Sequence, residues 1–196
     1  MNTRKLFVFG GIAASIVLFV FGTASMVVGY QGRQDVRDML AEENIIGSED
    51  STIPGQLVDT GSEAQAQADI IREHMLASSN GLTYSEMGRF ATADGDPKGT
   101  NDAALAATDA NGKPIANSVR NQWVTATALT TSLNTAYFAE QVGLFSVAMG
   151  LALVLTGAGF GVLTIGTLWH TAQEAKKEAA ASSSAAGATG KPVAAI

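Results

Sequence analysis

The chain has 196 residues, of which 15% are charged, with 18 acidic against 12 basic side chains, two His and no Cys. Without Cys there is no disulfide framework, thiolate metal site, iron–sulfur cluster or thiol nucleophile, and two His at opposite ends of the chain leave no imidazole set for a metal. The pI near 4.8 lacks the basic footprint that a nucleic-acid partner requires, and the mean hydropathy of +0.17 averages two apolar runs around an acidic middle.

Residues 1–5 form a short N-terminus carrying Arg4 and Lys5. Residues 6–30 (LFVFGGIAASIVLFVFGTASMVVGY) contain no charged side chain, and 25 residues exceed the roughly 20 that span a bilayer core. This predicts transmembrane helix 1. A signal-peptide h-region is about 7–15 residues long; this run continues through Met26, Val27 and Val28, so it reads as an uncleaved anchor.

Residues 31–141 read as an acidic, mostly helical extracytoplasmic domain. Val36, Met39, Leu40 and Glu43 carry helical spacing past the first span, with Asn44 and Gly47 as terminators. Residues 47–61 are rich in turn formers and acid, with one extended piece at 56–58. A second helix is expected over 62–78, where Ala66, Ile70, Ile71, Met75 and Leu76 share a face and Asn80-Gly81 ends it. Thr83 and Glu86 fit a capping box, predicting a third short helix to about Phe90. Residues 91–113 are mostly Ala, Asp, Gly and Thr with one Leu and no aromatic, which predicts a mobile loop. Pro114 stands where a helix would begin. From Ile115, the series Val119, Trp123, Ala126, Leu129, Leu133 and Tyr137 keeps a 3.6-residue rhythm into the second apolar run, predicting one long helix over 115–173.

Residues 142–169 are likewise charge-free and predict transmembrane helix 2. Residues 170–196, Ala- and Ser-rich, predict a short disordered cytoplasmic tail. The fold class expected is therefore an all-α membrane protein with two transmembrane helices joined by a mostly helical outer segment.

Charge sets the orientation. Lys and Arg flank the outer limits of the two runs (Arg4, Lys5, Lys176, Lys177, Lys191), whereas residues 31–141 hold 16 acidic and 7 basic side chains, a net formal charge of −9. The positive-inside bias places both termini in the cytoplasm of a plasma-membrane protein and 31–141 outside. Tyr30, Tyr137 and Phe138 then mark the outer boundary and Trp169 the inner one.

Small residues recur at steps of three, four and seven in both runs: Gly11, Ser15, Gly22, Ser25 and Gly29 in the first, and Gly143, Ser146, Gly150, Gly157 and Gly161 in the second. Lipid gives apolar side chains no reason to leave it, so membrane helices associate through close backbone approach along thin stripes of this kind. These ten residues are the candidate helix-packing site. Residues 31–141 contain 25 Leu, Ile, Val, Met and aromatic residues among 111, a lean supply for a self-sufficient core. The outer segment is expected to lean on the membrane-rooted helices or on a neighbouring protein.

No catalytic, cofactor or metal site is expected. His74 has Asp69, Arg72 and Glu73 nearby, and reads as a surface or capping His. A non-haem iron site needs two His and a carboxylate, and here a membrane about 30 Å thick separates the two His. The stretch 94–102 (DGDPKGTND) brushes the EF-hand pattern, but Lys98 occupies a ligand place and Leu105 stands where the bidentate Glu belongs. No GxSxG or Walker A sequence is present.

The run Gln65-Ala66-Gln67-Ala68-Asp69-Ile70-Ile71 with His74, then Gly81-Leu82-Thr83-Tyr84-Ser85-Glu86-Met87, then a helix rich in Ala, Ser and Leu entering a final span, resembles a group of actinobacterial two-span membrane proteins often mislabelled "aromatic ring-opening dioxygenase". The similarity covers residues 50–90 and 115–170; residues 91–113 depart from the shorter members. The resemblance implies an actinobacterial plasma membrane, where small two-span proteins include accessory subunits of the cytochrome bcc–oxidase respiratory supercomplex. The expected function is that of a non-catalytic accessory or structural subunit, with membrane lipid and a larger membrane complex as partners and no small-molecule substrate. An extracytoplasmic sensor or binding module acting through a partner protein is the alternative, since two spans bracketing 31–141 form a receptor-like layout.

Overall fold

The computed structural model describes the backbone of residues 3–189 and the side chains of residues 6–182. It is 69% helical, with no strand among the described residues. Helix α1 is Thr3–Glu42, α2 is Gly61–Ser78 and α3 is Ser118–Thr189, with a single 3-10 turn at Tyr84–Glu86. Contacts divide the chain into two units, one made by the residues through Val27 with those from Ser146 onward, the other by Val28–Phe145.

In the first unit, α1 and α3 are long and apolar enough to cross a membrane. Only 6% of the most apolar stretch of α1 and 17% of that of α3 is buried. A core helix of a water-soluble protein of this length would be mostly covered; here Phe7, Phe21, Val162 and Ile165 stand open.

In the second unit, Leu40 of α1, Ala64 and Ala68 of α2, Leu133 of α3 and the loop residue Val58 form the buried cluster. Val36, Ile45, Ile53, Ile71 and Ala136 pack around it. The helix ends follow from side-chain chemistry. Asn44, with φ of 49°, turns the chain out of α1. Backbone bonds from Gly47 N–H to Gln56 O (2.8 Å) and from Val58 N–H to Ile45 O (2.9 Å) then fold residues 45–58 into a tight loop that delivers Val58 to the core. Thr60 caps α2: its hydroxyl accepts from the Glu63 N–H, while the Glu63 carboxylate accepts from the Thr60 N–H. That carboxyl feels some burial, which raises its pKa, but the Thr60 hydroxyl and the Asp59 and Thr60 amides outweigh it and hold it below the ordinary value. At the other end Asn80 and Gly81 adopt left-handed φ values of 55° and 80°, and the Gly81 N–H closes onto Leu76 O at 2.7 Å.

Four expectations are corrected. The Thr83–Glu86 capping box forms, but only the 3-10 turn follows. Met87 leaves it extended, and Gly88 passes so close to the Thr100 backbone that a Cβ would overlap it. Residues 91–113 are a set of joined turns rather than a mobile loop. Phe90 exchanges backbone bonds with Thr100 (3.0 and 2.9 Å), Ala91 with Ile115 and Ala107, and Asp94, Asp96, Asp102 and Asp109 accept from backbone N–H groups two to four residues on. Side-chain oxygens satisfying the local backbone give order without a hydrophobic core. Pro114 pairs with Thr108 in an isolated bridge instead of opening a helix. Finally, α3 runs through Thr189, so residues 170–189 are helical where a disordered tail is predicted. The segment is rich in Ala, Lys and Glu, strong helix formers that extend a helix already nucleated. The tail's last residues, 190–196 with Lys191, and residues 1–2 lie outside the described residues.

The start of α3 rests on Asn117, buried to 3% exposure. Its Oδ1 accepts from the Val119 and Arg120 N–H groups, and its Nδ2 donates to Gly88 O (3.1 Å) and Pro97 O (2.8 Å). One side chain therefore caps α3 and anchors the turns before it. Replacing Asn117 with Ala removes a cap and orphans buried carbonyls, at a combined cost of about 2–3 kcal/mol. A lower thermal midpoint and faster amide exchange over residues 88–117 are the expected readouts.

Candidate functional site

The candidate packing residues fall into the two units. In the first, Gly22 and Gly150 face one another: a Cβ on Gly22 would lie 2.6 Å from Gly150 O, and one on Gly150 would lie 2.5 Å from Gly22 O and 2.6 Å from Met26 Cγ. A Cβ on Gly157 would sit 3.0 Å from Ser15 O and Phe19 N, and one on Gly161 would sit 3.0 Å from Ser15 Oγ. Ser15 Oγ donates to Gly157 O at 2.6 Å, a hydrogen bond between the helices. Gly11 abuts the Thr164 hydroxyl. Ser25 and Ser146 are half-buried. In the second unit Gly29 is buried, and a Cβ on Gly143 would lie 2.9 Å from its carbonyl and 2.5 Å from Arg33 Cγ. By contrast Gly10, Gly32, Gly159 and Gly166 have open space where a Cβ would go. The glycines facing a neighbouring helix are thus distinct from those that merely populate the apolar runs.

A polar cluster in the second unit was not among the sequence candidates. Glu140 of α3 is 5% exposed. Its Oε1 accepts from Arg33 Nη2 and from Arg37 Nε (2.9 Å each), and Arg37 Nη2 lies 2.7 Å from the same oxygen as an ion pair. Its Oε2 accepts from the Gly61 N–H, the first residue of α2, at 2.6 Å. The carboxylate so binds three helices at one point: two arginines one turn apart on α1, and the positive end of α2. Gly61 permits the approach, since a Cβ there would meet Glu140 Oε2 at 2.8 Å and Tyr137 Cα at 3.0 Å. Burial pushes the Glu140 carboxyl up, but the Gly61 amide and the Arg33 and Arg37 guanidinia outweigh it and hold it below the ordinary glutamate value. The signal for this cluster lay in the charges flanking the apolar runs: Arg33 and Arg37 stand just after the first, and Glu140 just before the second.

The two histidines are on the surface. His74 Nε2 lies 2.6 Å from Asp50 Oδ2, joining α2 to the 45–58 loop, and that hydrogen bond lowers the Asp50 pKa. His170 Nδ1 lies 3.4 Å from Glu174 Oε1, one turn along α3. Among the described residues no group of three or more His, Asp or Glu is arranged to hold a metal ion. The EF-hand-like carboxylates Asp94, Asp96 and Asp102 are engaged with backbone amides. Arg120 stacks on Tyr84 at 3.9 Å and Arg72 lies over Trp123 at 5.9 Å, tying α2 and the 3-10 turn to α3.

No protein-family model, curated protein or solved structure matches the chain.

Two expected outcomes follow from this geometry. Gly150→Leu overpacks the α1–α3 contact by about 1–3 kcal/mol and lowers the thermal midpoint in detergent, whereas Gly159→Leu leaves it unchanged. Glu140→Gln leaves two partly buried guanidinia without their counter-charge and destabilises the second unit by about 3 kcal/mol at neutral pH. Because the folded-state pKa of Glu140 is depressed, its stabilisation is complete above the ordinary 4.5 and is lost as pH falls through the lower folded value. Acid unfolding monitored by tryptophan fluorescence is therefore shallower below pH 4.5 in the variant than in the parent.

Proposed function

We propose that the chain is a non-catalytic accessory or structural subunit of a larger plasma-membrane complex, crossing the bilayer twice, with both termini cytoplasmic and residues 31–141 extracytoplasmic. The observation that carries this reading is apolar surface left open outside the charge-free runs. Met39, Val124 and Leu129 are 59, 56 and 49% exposed on α1 and α3. Val36, Leu40, Ala136 and Ala139 line an apolar groove of about 290 Å³ on the same two helices. Water-facing surface of this kind favours coverage by another protein. A segment with net charge −9 and a core as small as the Leu40–Val58–Leu133 cluster gains stability from such a neighbour.

The orientation draws on the flanking Lys and Arg, which favour the cytoplasmic side. The resemblance of residues 50–90 and 115–170 to actinobacterial two-span proteins supports a specific setting, the cytochrome bcc–oxidase respiratory supercomplex.

Affinity purification of the tagged full chain from native membranes in a mild detergent tests the reading. Cytochrome subunits are expected in fixed ratio to the chain, with a haem absorbance that follows it through gel filtration; a chain that elutes alone and without haem overturns the assignment. Since the protein has no Cys, single-Cys variants report topology. Asp94→Cys is expected to react with a membrane-impermeant maleimide in intact cells, and Lys177→Cys only after permeabilisation.

A further inference from the structure

The Glu140 cluster carries more positive charge than its own carboxylate neutralises. Two guanidinia share one carboxylate oxygen, the second oxygen is taken by the Gly61 amide, and Glu140 is the only carboxylate within ion-pairing distance of either arginine among the described residues. One formal positive charge is left over in a segment whose net charge is −9. Other acidic groups of α1 do not offset it. At 100° per residue Asp35 lies about 160° around the helix from both arginines, and Asp38 about 140° from Arg33 and 100° from Arg37, and neither pairs with them. Arg33 Nε is buried with no hydrogen-bond partner, an expensive state for a guanidinium donor. Both side chains remain partly exposed, Arg33 to 29% and Arg37 to 39%.

Position supplies the ligand class. This step rests on the two-span reading, in which α1 leaves the membrane after Tyr30. Arg33 is then about 4.5 Å and Arg37 about 10 Å further along the helix axis, and the polar head-group layer extends about 5–8 Å beyond the hydrocarbon on each side. Side chains on a helix lean toward its N-terminus, which for α1 is back toward the bilayer. Planar guanidinium donors at the level of the phosphates are suited to a phosphodiester, which they engage with paired N–H groups. We infer that Arg33 and Arg37 bind the phosphate of an anionic phospholipid head group in the outer leaflet.

The full-length protein in neutral detergent, titrated with phosphatidylglycerol, phosphatidylcholine or inorganic phosphate and read by native mass spectrometry and thermal shift, tests this. Retention of phosphatidylglycerol is expected at least fivefold above phosphatidylcholine, with no comparable shift from inorganic phosphate. Arg37→Gln is expected to abolish the preference and Arg37→Lys to keep most of it, while the double variant Lys176→Gln/Lys177→Gln retains it. Equal retention of the two lipids by the parent overturns the inference. So does an unchanged preference in Arg37→Gln, its loss in the double lysine variant, or equal stabilisation by inorganic phosphate. Should Arg37→Gln fail to fold, Arg37→Lys with the lysine variant still decides between the two ends of the molecule. The maleimide labelling of Asp94→Cys reads the two-span topology independently, so a failure there is told apart from a failure of lipid selectivity.

Discussion

The second unit is organised around one buried carboxylate. Glu140 would be intolerable in its place as an isolated charge, and every partner it finds belongs to a different part of the chain: Arg33 and Arg37 on α1, and the Gly61 amide that opens α2. Satisfying it sets how α1, α2 and α3 meet. The capping box at Thr60 and Glu63 fixes where α2 starts, and therefore where its unsatisfied amides are presented. The apolar cluster of Leu40, Val58, Ala64, Ala68 and Leu133 is small enough that hydrophobic burial alone would define the helix register loosely. A charge that must be paired narrows it, since a slip of one turn along α1 would cost the carboxylate one of its two arginines.

In the first unit the constraint is different, because exposed apolar side chains cannot direct helices that are apolar all round. Association there depends on backbone proximity. Gly22 against Gly150, and Gly157 against Ser15 and Phe19, bring the helices close enough for the Ser15 hydroxyl to reach a main-chain carbonyl. Close backbone approach and the Ser15–Gly157 hydrogen bond set this contact. With those glycines engaged internally, the packing stripe itself makes no demand for a further helix. The case for a partner comes instead from the open apolar side chains of α1 and α3 in the second unit, such as Met39 and Val124.

Order in residues 88–117 has a third origin. With little apolar surface to bury, this stretch is held by backbone bridges at Phe90 and by carboxylates folded onto their own amides, with Asn117 joining the turns to the head of α3. Composition alone suggests a flexible linker here. What it overlooks is that Asp, Asn and Gly, poor core formers, are the residues best able to satisfy a tight backbone locally.

Periodicity and charge-free length, which are local properties, determined the all-helical class, the two apolar helices and the ends of α2. Small residues repeating at three, four and seven residues share a helix face, and Gly22, Gly150 and Gly157 of that set lie against the other helix, whereas Gly61, which also abuts α3, has no such spacing to mark it. The Asn117 cap was legible in principle, as Asn one residue before a helix is a strong start signal, but Pro114 offered a competing one. The extension of α3 through 189 followed from helix propensity once a nucleus existed, a cooperative effect that composition of the tail alone does not display. Only the tertiary structure decided the partners of Glu140. Arg33 and Glu140 lie 107 residues apart, and pairing across that distance depends on three helices meeting at once, which no local window contains.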